Sequence, residues 1–432
     1  MADLTRARVL AAQLVEALAD APPAPPADLP PIATPDALDR ALSTAVPDTI
    51  LWLEPTLVYP APLTIRTARL TLASKGLTPM VRMTPDVPLP RFTGGLTIAA
   101  DGVKLLALEV RHSNPAKDIL VLLGAHVRVD QLRILGNPLA GAKRGIAAMA
   151  NGDLTIRRCY VDDIFGPYPG QDTQAILAAD MAPGLLIEDN FLAAAGETIL
   201  IGGMDEQNAD RMPSEITIRG NVITKRDAWQ SQAILVKNTL EIKAGRKILV
   251  AGNDISQSWG GHGQTGYLLV LTVRNQSGGA PWATIEDVDI IDNHVHHGAA
   301  AINVLGRDSN HPSGTMARVR IRGNLFEDLD PMPYTGSTKL IQIDGGPDAL
   351  SIVSNQFRGA PVSSAVYLLG KPASITNLAI MDNVFPPTTY GLYGSGSITA
   401  PKVAQRYDPA TNAAWKYFVA SGTLSGNSEA PA

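Results

Sequence analysis

The sequence predicts an all-β solenoid, short strands wound into stacked coils, and two observations carry that expectation. The first is a recurring phrase. LLIEDNFL, ITIRGNVI, ILVAGNDI, VDIIDNHV, VRIRGNLF, LSIVSNQF and LAIMDNVF place Asn190, Asn221, Asn253, Asn293, Asn324, Asn355 and Asn383 at one position of a shared pattern. Successive asparagines are 31, 32, 40, 31, 31 and 28 residues apart, a period that belongs to stacked repeats. The second is the alternation inside each phrase. Ile216 and Ile218, or Val319 and Ile321, face one side of a strand, and one unit is too small to bury them. Stacked coils bury them together in one apolar column.

The elements follow in order. Residues 1–33 read as a helix and a proline-rich linker, an attachment or oligomerisation segment. Leu4, Ala7, Ala11, Leu14 and Leu18 form a two-heptad stripe suited to self-pairing, to docking on the chain's own body or to a host protein. The segment lacks the basic start, continuous apolar core and cleavage site of a secretory signal. Residues 34–385 form the body. Thr34 caps a short amphipathic helix with Pro35 at its first position and Leu38 and Leu42 on its apolar side, and a strand runs from Thr49 to Leu53. VKLLALEV, VRVDQLRI and LTIRRCYV then put Leu108, Leu132 and Cys159 in the later asparagine slot, so the early bends are drier. Asparagine suits a bend because it tolerates left-handed backbone angles and bonds nearby backbone, and stacked copies can bond one another. Residues 386–432, with Trp415, Tyr417 and Phe418, are expected to cap the last coil or pack against a neighbour.

Over roughly residues 50 to 385 the chain resembles the right-handed parallel β-helix, or pectate-lyase-like, superfamily, which implies about 10–12 coils with a helix over the open first one. Within residues 185 to 330, GETILIGG, PSEITIRGN, VKN, LTVRNQSGGAPW and NVLGRD are similar to phrases of β-helix proteins of unassigned activity. That resemblance implies where the site lies without naming a reaction.

Composition narrows the partners. A chain of 432 residues with formal charge -5 argues against nucleic acid, and no apolar run is long enough to span a bilayer. The single cysteine, Cys159, rules out an internal disulfide and reads as a buried filler.

A further strand lies between each asparagine bend and the next phrase: GIAAMA, QAILAAD, ETILIGG, QAILVKN, YLLVLTVRN, AINVLGRD, KLIQIDGG and AVYLLGK. Alternation points Ile234, Val236, Ile341 and Ile343 inward and Leu235, Lys237, Gln342 and Asp344 outward. The outer surface of these strands is where the resembled superfamily commonly binds glycans. Lys237 with Asn238, Arg274 with Asn275 and Gln276, Arg307 with Asp308, and Asp344 reach similar positions in successive coils, beside Asn303. Enlarged loops add Asp205, Glu206, Asn208, Trp282 and His311, and the opposite edge adds Tyr168, Trp229, Trp259, His262, Tyr267 and Tyr334. Polar groups between aromatic walls suit a sugar chain, although strand ends on any solenoid are polar and the tryptophans could equally anchor loops.

For chemistry, Lys237, Arg274 and Arg307 supply a base and a charge stabiliser for β-elimination on an acidic glycan. Asp205, Asp308 and Asp344 supply either an acid and base pair for hydrolysis or a calcium site, and no other cofactor is expected. The pectate-lyase Trp-Ile-Asp-His pattern and the polygalacturonase motifs are absent. Glu197 opens a surface strand as either a site carboxylate or a solvated edge. DNHVHHG sets two of His294, His296 and His297 on one strand face, but no third ligand is near in sequence and no metal site is assigned. The reading these features favour is a homotrimeric virion tail spike or fibre that binds, and in one version degrades, a bacterial surface polysaccharide, with the N-terminal helix meeting other tail proteins. The alternative is a free-standing bacterial polysaccharide lyase or glycoside hydrolase. The expected location is the virion or otherwise outside the cell, and the cytoplasm if neither holds.

Overall fold

The computed structural model describes residues 30–76, 82–167, 170, 172–396 and 398–431. The expected helix and linker of residues 1–29, and Tyr168, lie outside the described residues. Three long parallel sheets wind around one apolar interior. The first has thirteen strands, from Ile50–Leu53 to Gly422–Ser425, and the second thirteen, from Val58–Tyr59 to Ser428–Glu429. The third has twelve, from Leu63–Ile65 to Leu392–Gly394. Every coil contributes in the same order, so each strand pairs with its counterparts one coil before and after. Register keeps like with like: Ile216, Ile248, Val288, Val319 and Leu350 stand in one row of the first sheet. All are buried, and they join a single cluster running the length of the molecule. This is the all-β right-handed parallel β-helix expected.

Both ends are covered. Helix Pro35–Thr44 is capped by the Thr34 side chain, accepting from the Ala37 amide, and buries Leu38 in the apolar interior to which Leu51 and Leu53 of the first coil also belong. At the other end the boundary at residue 385 moves. Gly422–Ser425 pairs with Leu378–Met381 and Ser428–Glu429 with Val384–Phe385, so residues beyond 385 build a thirteenth coil as well as a cap. Its long insert escaped the repeat count. That insert carries helix Ala413–Phe418, which buries Trp415 and Phe418.

The bend differs from expectation in one respect. The left-handed residue is the one before each asparagine: Asp189, Asp292, Ser354 and Asp382 have φ of 54 to 55°, and Gly220, Gly252 and Gly323 have φ of 62 to 68°. This frees the asparagine to turn inward, where it is buried. Each side chain donates Nδ2 to the Oδ1 of the next asparagine at 2.9 to 3.0 Å from Asn190 to Asn383, and Asn383 donates to Asn427 in the last coil. In the drier bends Arg158, Gln131 and Ala107 take the left-handed place before Cys159, Leu132 and Leu108. Phe326, Phe357, Phe385 and Tyr407 stack at centroid separations of 4.5, 5.1 and 5.8 Å.

Candidate functional site

The outer face of the third sheet carries a row in register from coil to coil: Leu177, Leu200, Glu241, Val270, Asn303, Gln342, Tyr367 and Tyr393. One coil departs from the sequence reading. The third-sheet strand of the coil after Asn221 is Leu240–Ile242, whereas Ile234 to Lys237 form a loop. Ile234 and Val236 are buried in a separate lobe with Trp229, Trp259, Ala193 and Ala195. Ile234 and Val236 of the run AILV fill that lobe, and the alternating TLEIK that follows has the better strand period.

The shift places a carboxylate, Glu241, in the outward row and brings Lys237 in from above by way of its loop. Lys237 Nζ lies 3.0 Å from Asp172 Oδ2 and 3.2 Å from Glu197 Oε1. Gln174 Nε2 donates to the other Glu197 oxygen at 2.8 Å. Lys243 Nζ stands 4.0 Å from Glu197 and 3.8 Å from Glu241, so it bridges the two carboxylates. Glu241 also accepts from Asn238 Nδ2 at 2.8 Å and from Thr272 Oγ1 at 3.4 Å. Beneath the loop, the buried Lys225 ammonium donates to the carbonyls of Ala194, Gly196 and Asn238, tying the loop to the third sheet.

The two glutamates are driven in opposite directions. Burial alone would raise the Glu197 carboxyl, but the charges of Lys237 and Lys243 outweigh it and bring it down to about 2. Burial pushes Glu241 up to about 7, with Lys243 offsetting only part of the penalty and the Glu197 charge adding to it. Desolvation drives Lys225 down to about 7. Lys237 is instead held above the usual ammonium range, because Glu197 and Asp172 outweigh its burial.

The sequence-predicted residues divide. Lys237 and Asn238 belong to this cluster, and Asn303 and Gln342 continue its floor, with Gln342 Nε2 donating to Asn303 Oδ1 at 3.2 Å. Tyr367 and Tyr393, with Tyr390, form an aromatic end to the floor at centroid separations of 6.1 and 4.8 Å, and Lys339 Nζ stands 4.1 Å over Tyr367. A shallow cavity of about 440 Å³ flanks this stretch, lined by Gln264, Thr265, Thr335, Lys339 and Gln342 among others.

Arg274, Asn275, Arg307, Asp308 and His311 instead knot two loops together. Asp308 accepts from Arg274 Nη1 at 3.0 Å and from the backbone amides of Asn275, Asn310 and His311, and Arg307 bonds Thr315. Gln276 beside them is exposed. Asp205 accepts from the Ser277 amide, and Asp344 from the amide of its neighbour Gly345. Asp205, Asp308 and Asp344 gather into no common ligand group among the described residues.

The aromatic walls are likewise corrected. Trp229 is 4 % exposed, Trp259 5 % and Tyr267 2 %, so none offers a ring face to a ligand, and Tyr267 spends its hydroxyl on Ser337. Trp282 packs on Met212, Ala244, Ala280 and Ala283 as a loop anchor. Missed in the sequence were Asp172, Gln174, Lys225, Glu241, Lys243, Tyr367 and Tyr393. The alternation of TLEIK and AVYLLGK was the available signal for Glu241, Lys243 and Tyr367.

No family model and no curated protein matches the sequence. Solved structures match in shape. The catalytic unit of a thermostable GH87 α-1,3-glucanase from Streptomyces thermodiastaticus strain HF3-3 aligns with a TM-score of 0.55 at 14% identity, over 93% of this chain and 69% of that one. The Dettilon tailspike protein aligns at 0.48 and 14% identity over 91% of this chain, which spans 64% of the tailspike's length. An alginate lyase from Paenibacillus sp. str. FPU-7 gives 0.46 and 13% identity over 76% of this chain and 93% of that one. Identities this low speak to the fold and leave the reaction open. On the evidence of its three parallel sheets and the likeness to the glucanase catalytic unit, the chain has the right-handed parallel β-helix fold.

Proposed function

We propose that the outer face of the third sheet binds an extended bacterial polysaccharide and that Glu241 and Glu197 hydrolyse it as acid and base. One observation carries this reading: Lys243 stands 4.0 Å from Glu197 and 3.8 Å from Glu241, two carboxylates in unlike surroundings, burial holding Glu241 up and the lysine charges bringing Glu197 down. At neutral pH one holds a proton to give to a leaving oxygen, and the other is charged and ready to activate water or attack. Glu197 is fully buried and Glu241 is 5 % exposed, so a sugar reaches them only when the loop carrying the half-buried Lys237 and Asn238 moves aside. From Glu241 to Tyr393 the floor crosses five coil steps of about 4.8 Å, roughly 24 Å, room for several sugar units. Amide and carbonyl groups of Asn303 and Gln342 suit hydroxyls, and the tyrosine faces suit the apolar faces of sugar rings.

The experiment is release of reducing ends from a panel of neutral and acidic bacterial polysaccharides. Glu241→Gln and Glu197→Gln are each expected to lower turnover at least about a hundredfold while keeping binding. Turnover that survives both substitutions would sink the assignment. Binding without turnover in the unmodified protein, abolished by Tyr367→Ala with Tyr393→Ala, would leave a glycan-binding face without the hydrolytic step. A rise in ultraviolet absorbance with cleavage would point to elimination in place of hydrolysis.

The finer reading places this face on a homotrimeric virion tail spike, attached through residues 1–33. The heptad stripe of Leu4, Ala7, Ala11, Leu14 and Leu18 ahead of a proline-rich stretch supports it.

A further inference from the structure

On a different face, the outer side of the second sheet, histidines and carboxylates from three successive coils converge. His294 and His296 project from strand His294–Gly298, two residues apart and so on one face. Asp254 is the register partner of His294 in the preceding coil, about 40 residues away in sequence. Asp254 presents Oδ1 to His296 Nε2 at 3.1 Å and Oδ2 to His294 Nδ1 at 3.6 Å. The imidazoles stack at a centroid separation of 4.2 Å, and one ligand atom from each of the three side chains falls within 4.8 Å of the others. A tetrahedral zinc ion with bonds of about 2.0–2.1 Å sets its donors roughly 3.3 Å apart, a value that the two carboxylate–imidazole distances bracket, so small side-chain shifts would bring all three donors onto one ion.

The nitrogens facing away from Asp254 are also engaged. His294 Nε2 lies 3.2 Å from Glu327 in the following coil. His296 Nδ1 meets His297 Nδ1, and His297 Nε2 lies 3.3 Å from Asp328. Metal-bound histidines characteristically give their second N–H to such a partner, which fixes the tautomer and strengthens the ligand. Here one histidine is backed by a carboxylate directly, the other by a carboxylate through an imidazole.

We propose that Asp254, His294 and His296 bind one divalent first-row transition-metal ion, zinc foremost, with water completing its coordination. Two nitrogens and one carboxylate favour such an ion over calcium or magnesium, which prefer oxygen alone. Bound there, the ion links two adjacent coils across the 40-residue interval, the longest between the predicted asparagines. The site is independent of the glycan face and uses none of its residues.

Calorimetric titration of untagged full-length protein with ZnCl2 tests this directly. One ion per chain is expected, with a micromolar or tighter dissociation constant and a thermal midpoint that rises with added zinc. His294→Ala and His296→Ala should each weaken binding at least a hundredfold, and Glu327→Gln by 10–100-fold, as loss of a supporting partner does. His126→Ala, elsewhere on the surface, should change nothing. Asp254→Asn keeps the side-chain shape and serves should a histidine variant fail to fold. Cobalt(II) adds a second readout, because three protein ligands and a water give visible absorption typical of four-coordination, lost in the same variants. Absence of saturable zinc binding below about 1 mM, weaker than any site of this ligand set should show, would overturn the proposal. So would stoichiometric binding that survives His294→Ala, His296→Ala and Asp254→Asn.

Discussion

A single asparagine in this chain satisfies backbone and side-chain groups on three successive coils at once. Asn253 Nδ2 donates to Ile218 O, Ala251 O and Asn293 Oδ1, and its Oδ1 accepts from both the amide and Nδ2 of Asn221. Asn253→Ala therefore orphans several buried groups at once and should cost roughly 3 kcal/mol, measured by denaturant unfolding. Glu241 invites a different measurement at the same scale. A general acid acts while protonated, and burial holds its proton up to about pH 7. Turnover should therefore be sustained below neutrality and fall about tenfold per unit as pH rises above 7. A profile that instead rises through neutrality would give Glu241 the opposite role.

Elements reveal where local pattern and tertiary context part company. The lobe of Trp229, Ile234, Val236 and Trp259 holds the loop that delivers Lys237, and Gln230 Nε2 also reaches Pro333 O at 2.8 Å. Trp229→Ala should remove about 3–5 kcal/mol of packing from that lobe alone. The expected result is faster proteolysis within residues 225–238 and weaker turnover, with the far-ultraviolet spectrum of the solenoid intact. The asparagine phrases and the inward alternation of Ile341 and Ile343 were readable in sequence because each is set by neighbours within one strand and repeated coil after coil. Glu241 was hidden because the same length of chain offered two apolar runs, and only packing decides which joins the stack. Arg274 and Asp308 were misjudged for the converse reason: polar residues at strand ends look alike in sequence whether they face a ligand or clamp a loop. Asp254 and His294 meet only through register, so no local motif could announce them.

At the scale of the whole molecule, stability accumulates coil by coil because each strand pairs only with its neighbours along the stack. Such an object is rigid along its axis and open at its ends, which is why helix Pro35–Thr44 and helix Ala413–Phe418 matter beyond their length. Association belongs to this scale too. Light scattering of the full chain at micromolar concentration should give a mass near three times 45.7 kDa, reduced by deletion of residues 1–29. A strictly monomeric full chain would sink the trimeric spike.

The asparagine column also has a direction. In every asparagine–asparagine bond from Asn190 to Asn383 the N-terminal member donates and the C-terminal one accepts, while each Nδ2 also donates to a carbonyl of the coil before. Each finished coil thus leaves a donor that only the coil after it can fill, and each arriving coil brings the acceptor. The interior seam is polar along its length, its side-chain amides aligned head to tail along the axis.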